Sequence, residues 1–203
     1  MRRFLTFGSY FFHPVWLPLV GVMYFYLSSI QLGLYTTEFI LAQVIATVAL
    51  TIVIPMFFLF SLKKFKLISS YQMPRVKERR LPVLFFTSIA AFMVNFVFGI
   101  EKAEVLFYFF SGIFFTGIFA CLLTFVNFKA SLHMSGVFGL TCFIGAYMFH
   151  FYQVNLVILG ILVFGIGWVA SSRLHLRAHS YAELGVGTLI GALPQLYFFN
   201  LIF

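Results

Sequence analysis

Apolar runs long enough to cross a bilayer, about 17–25 residues, recur seven times along the chain. They lie near 11–31, 38–62, 82–100, 105–128, 134–152, 154–171 and 183–203. Polar residues gather between the runs. Apart from Glu38 and Glu183, each at the boundary of its run, the runs carry no charged residue. The connections are short except for 63–81, and no linker, low-complexity tract or soluble domain interrupts the series. The pattern predicts an all-α fold: a polytopic transmembrane helical bundle of about seven spans (six to seven), with 1–203 forming a single integral membrane domain.

Composition strengthens this reading. The chain of 203 residues is 63% hydrophobic and 9% charged, whereas a soluble domain carries about 25% charged residues. No soluble fold of this size could bury so much apolar surface. Cys121 and Cys142 both fall inside apolar runs and read as small core residues rather than a disulfide. Arg2 and Arg3 followed by apolar residues resemble the start of a signal peptide. No small-residue cleavage site follows, so the first span is expected to be retained.

Charge separates the two ends of the bundle. Counting spans from the N-terminus puts the loops at 63–81, 129–133 and 172–182 on the same side as that terminus. This side carries twelve of the thirteen Lys and Arg residues, and the other carries only Lys102. His13, His133, His175 and His179 also map to the first side. Without the candidate site loops, Arg2, Arg3, Lys63, Lys64 and Lys66 still stand against Lys102. The positive-inside rule therefore predicts a cytoplasmic N-terminus and cationic side, in a bacterial cytoplasmic membrane. The net charge of +8 points to anionic headgroups or phosphates rather than nucleic acid. An ion-coupled transporter, which keeps ionisable groups near the bilayer midplane, fits these span interiors poorly.

Three stretches on the cationic side carry candidate chemistry. PRVKERRLP (74–82) holds Lys77, Arg79 and Arg80 ahead of Pro82, and FKASLHMSG (128–136) holds Ser131 and His133. Either alone reads as an interfacial loop, and Ser131 also suits a helix N-cap. SSRLHLRAHSYAELGVG (171–187) is denser. His179 and Glu183 are four apart and share a helix face, where a carboxylate can fix an imidazole tautomer. Gly187 and Gly191 continue the spacing and would let two helices approach closely. His13, His150 and His175 read as background.

SRLHLRAHSYAE resembles the S-R-x5-H-x3-D motif of the type 2 phosphatidic acid phosphatase superfamily, with Glu183 in place of Asp. ASLH (130–133) is similar to that family's P-S-G-H, and VKERRLP loosely echoes its K-x6-R-P. The resemblance implies a membrane-embedded phosphatase acting on a lipid phosphate or polyprenyl diphosphate through a phosphohistidine intermediate. It implies His179 as nucleophile, Glu183 as its orienting group and His133 as general acid. Arg173, with Arg79 or Arg80, Lys77 and Ser131, would hold the phosphate. Guanidinium groups suit the equatorial oxygens of a transferring phosphoryl group. No metal or other cofactor is required by this chemistry. The alternatives are a catalytically inactive member that binds anionic lipids or acts as an interaction protein and, third, a transporter.

Overall fold

The computed structural model describes residues 2–28, 33–99, 101 and 104–202. They form eight helices: α1 (Arg2–Phe11), α2 (Leu17–Leu27), α3 (Thr37–Lys64), α4 (Val76–Val97), α5 (Glu104–Phe125), α6 (Leu132–His150), α7 (Leu156–His175) and α8 (Tyr181–Ile202). The six from α3 to α8 are long and apolar enough to cross a membrane, and α2 is a shorter apolar helix. The protein is thus an all-helical, integral-membrane type of bundle, within the expected six to seven spans. Lys102, the single cation expected on the second side, lies outside the described residues.

Short polar side chains set the helix starts. The Thr36 hydroxyl accepts from Phe39 N at 3.3 Å and opens α3. Asn155 accepts from Val157 N at 3.0 Å and Ile158 N at 3.1 Å, opening α7. Ser131 accepts from Met134 N at 3.4 Å and opens α6. Each satisfies an amide that the first helical turn leaves without a partner. Two helices widen into π turns, Ala49–Val53 within α3 and Met93–Val97 at the end of α4. Pro55, which has no N–H to donate, follows the first. At the second, Gln43 of α3 donates to the Val97 carbonyl at 3.0 Å, tying α3 to α4.

The first predicted span departs from expectation. Its helix, α2, begins only at Leu17; a turn around His13 and Pro14 separates it from α1, which lies ahead of the run apart from Phe11. Proline lacks an amide hydrogen and disfavours helical backbone at the residue before it, so the helix stops there. Pro18, by contrast, sits in the first turn of α2, where no hydrogen bond is lost. From the turn, α2 runs parallel to α6. Pro14 and Leu17 meet Gly136, Gly21 faces Leu140, and the Ser28 hydroxyl bonds the Tyr147 hydroxyl at 2.8 Å.

Glycine governs the central crossings. A Cβ at Gly187 would lie 2.6 Å from the Ser131 carbonyl oxygen, and one at Gly191 would collide with the Ser135 backbone. The spacing noted in the sequence is therefore the seam on which α8 packs against α6. The α5–α8 crossing is polar as well as close. Gln195 lies over Gly112 and donates to the Phe109 carbonyl at 2.9 Å, and the Thr116 hydroxyl donates to the Ile190 carbonyl at 2.9 Å. α1 lies across α7, with Gly8 beneath the Trp168 ring and Trp168 Nε1 donating to the Phe4 carbonyl at 3.0 Å. Its outward face is apolar, since Phe4, Phe7, Tyr10 and Phe11 are exposed.

Candidate functional site

The cationic end of the bundle is built where α8 begins. Ser180 and Glu183 form a reciprocal cap: Glu183 N donates to Ser180 Oγ at 3.3 Å, and Ser180 N donates to Glu183 Oε2 at 3.0 Å. The same carboxylate oxygen lies 3.0 Å from His179 Nδ1. One residue thus closes the helix and holds the imidazole. The α5–α6 loop is stapled beside this turn, because Ser131 N donates to the Glu183 carbonyl at 3.0 Å. The Lys129 backbone carbonyl lies against the His179 ring, which is itself buried.

Cations surround this pair. His179 lies in the field of Arg79, Arg173 and Lys129. Burial and then these three charges hold its pKa below the usual 6.5, against the opposing pull of the Lys129 carbonyl. The Lys129 ammonium is likewise pushed down, by burial first and then by Arg79, while Glu183 works the other way. Arg79 is buried. It arrives preorganised, with Nε donating to the Met73 carbonyl at 3.0 Å and Nη2 to the Gln72 carbonyl at 3.3 Å. Arg173 gives Nη1 to Ser9 Oγ at a long 3.4 Å, and its buried Nε has no partner among the described residues. A cavity of about 10 Å³ lies beneath the cluster, between Arg79, Lys129 and Leu132.

His133 completes the arrangement from the first turn of α6, in the field of Arg173, His13 and His179. The structure therefore brings together His179, Glu183, Arg173, Arg79 and His133 of the expected residues. Ser131 is adjacent, yet its hydroxyl caps α6 rather than facing the cations. Arg80 turns away, donating to the Thr124 carbonyl at 3.1 Å and lying 5.1 Å from the Phe125 ring centroid. Lys77 is exposed on α4. Helical geometry explains the division: neighbours on α4 point about 100° apart, so a face that presents Arg79 cannot present Lys77 or Arg80.

Four residues were not foreseen. Ser180 had a legible signal, since S-x-x-E is a capping-box pattern. Lys129 had only its place in the second stretch. Ser9 had none and His13 only its place on the cationic side, because both reach the cluster through the packing of α1 on α7. His175, by contrast, is exposed, and His150 lies at the opposite end, beside a groove of about 940 Å³. Among the described residues no group of three or more His, Cys, Asp or Glu side chains is placed to hold a metal ion. Comparison of the chain with protein-family models, curated proteins and solved structures finds no match.

Proposed function

We propose that the protein is a membrane-embedded phosphatase of the type 2 phosphatidic acid phosphatase kind. It would hydrolyse a lipid phosphate or polyprenyl diphosphate at the cytoplasmic face of a bacterial inner membrane. The observation that carries the reading is the His179–Glu183 pair, 3.0 Å apart, beneath Arg79, Arg173 and Lys129. Burial and the neighbouring cations favour a neutral imidazole, the form with a nucleophilic lone pair. With its proton on Nδ1 toward Glu183, Nε2 is the nucleophile.

In this scheme the phosphate displaces the Lys129 carbonyl from the ring and meets the guanidinium donors of Arg173 and Arg79. The Nε2 lone pair forms the P–N bond as the P–O bond to the lipid breaks. His133 takes the proton of the substrate's phosphate monoanion on its free nitrogen and passes it to the leaving oxygen. Glu183 balances the positive charge that develops on the imidazole. Water then attacks the phosphohistidine, giving its proton to His133 and releasing phosphate.

The test is phosphate release by purified protein from phosphatidate and from a polyprenyl diphosphate, with a chelator present. Activity is expected to persist with the chelator, and labelled phosphate is expected on His179 in a reaction quenched in alkali, where the P–N bond survives. Activity that survives both His179→Ala and His133→Ala would refute the assignment. The Lys129 carbonyl, which stands against the His179 ring where the phosphate would have to enter, favours one second reading: a non-catalytic member that holds anionic lipid headgroups at its surface. Phosphate-competable lipid binding without turnover on either substrate would establish that alternative.

A further inference from the structure

The described segment that precedes the first apolar helix enters the cationic cluster, and no part of the phosphatase scheme uses it. Ser9, buried on α1, is a branch point. Its hydroxyl lies 2.6 Å from the Ser172 hydroxyl and 3.4 Å from Arg173 Nη1. Its backbone carbonyl faces the His133 ring. Four residues on, the rings of His13 and His133 form a T-shaped pair, with centroids 5.0 Å apart and planes at 83°. His13 is fixed in turn, because Val15 N donates to its Nδ1 at 3.3 Å. A neutral ring whose Nδ1 accepts must carry its proton on Nε2.

We infer that α1 and the turn after it are a positioning device for His133, with Ser9 and His13 holding that imidazole in one tautomer and one orientation. The consequence for turnover rests on the phosphatase reading, whereas the tautomer does not. A ring N–H committed to the Ser9 carbonyl leaves the other nitrogen of His133 for chemistry. The His13 ring blocks rotation of His133 about its Cβ–Cγ bond, which would put ring carbons where the nitrogens stand. The Ser9 hydroxyl links the same segment to Arg173, so the acid and the phosphate-binding guanidinium are set relative to each other through α1. Gly8 permits this, because any side chain there would strike Trp168 and lift α1 from α7.

The experiment uses the full chain, labelled with nitrogen-15 at histidine, in detergent micelles. Signals are assigned by their loss in His133→Ala. His133 is expected to show a single neutral tautomer in the wild type and a mixture in His13→Ala. His13→Gln, whose amide offers a donor near the Nε2–H position, is expected to restore the single form. Ser9→Ala keeps the carbonyl and is expected to shift the His133 signals less. On a substrate that turns over, His13→Ala is expected to lower kcat roughly ten- to hundredfold, the range for losing an outer partner of a functional histidine. KM is expected to change little, in contrast to the raised KM expected for Arg173→Ala. His133 signals that are the same in the wild type and His13→Ala overturn the inference. So does a wild-type kcat in His13→Ala. If the wild type turns over no lipid phosphate, the phosphatase reading falls and the His133 signals alone decide this one.

Discussion

Glu183 Oε2 serves two donors at once, the Ser180 amide and His179 Nδ1, each at 3.0 Å. Removing the carboxylate therefore has two separable effects. Glu183→Ala is expected to lower stability by about 1 kcal/mol through the lost cap, and to release the imidazole. Glu183→Gln can set its amide oxygen before both donors but lacks the charge, so melting in detergent should recover more fully than phosphatase activity. His179 also makes stability depend on pH. Its folded-state pKa is lowered by burial and by Arg79, Arg173 and Lys129. Below its ordinary 6.5 the unfolded chain therefore binds a proton that the folded chain resists. That stability is fully present above 6.5 and is lost as pH falls toward the folded value. The melting temperature is expected to drop between pH 7 and pH 5, and His179→Asn should flatten the slope. His13, lowered by burial and Arg173, contributes with the same sign, so a residual slope should remain in His179→Asn and shrink further when His13 is replaced too.

At the scale of elements, the α6–α8 crossing carries the second stretch to the third. Gly187 faces the Ser131 backbone and Gly191 the Ser135 backbone, so neither position has room for a methyl group. Gly191→Ala is expected to cost about 1–3 kcal/mol, the usual range for overpacking a close contact. Gly185→Ala meets nothing within 4 Å and should be neutral or slightly stabilising. Thermal melting of the two variants, side by side, separates helix propensity from packing. This seam was readable from the four-residue glycine spacing, as were the six long helices from their apolar runs and the His179–Glu183 pair from its i, i+4 register. The separate helix α1 ahead of the first run and the late start of α2 are not legible there, although His13-Pro14 stands within the run. The site residues on α1 could not be read at all. Its sequence shows aromatic residues and a few polar ones, with nothing to say that Gly8 and Ser9 face inward while Phe4, Phe7 and Phe11 face outward. That choice is made by Trp168 and Ser172, more than 150 positions away, and no local pattern encodes it. Arg79 and Arg80 were indistinguishable for a related reason: helical phase decides which one faces the cluster, and phase is fixed only by packing.

For the molecule as a whole, the placement of charge links the site to a membrane leaflet. The loops before α4, α6 and α8 lie at one end with the α1–α2 turn, as the bonds from Arg80 to Thr124, from Ser131 to Glu183 and from Arg173 to Ser9 require. This end holds Arg79, Arg173 and Lys129, as well as Lys63, Lys64 and Lys66, which lie at the end of α3 and have no place in the cluster. Site cations alone could bias a count of positive residues, but the α3 lysines take no part in it and still point the same way. The end bearing the cluster is therefore expected on the cytoplasmic side. The measurement starts from a variant lacking Cys121 and Cys142, with single cysteines returned at exposed positions: Tyr71 and His175 at the cationic end, Leu34 and Tyr152 at the other. In intact cells a membrane-impermeant maleimide is expected to label Leu34→Cys and Tyr152→Cys. Tyr71→Cys and His175→Cys should label only after permeabilisation. That pattern would confine the substrate to lipids of the inner leaflet. The opposite pattern would place the cluster on the outer face and show that its cations exist for the ligand despite their effect on topology.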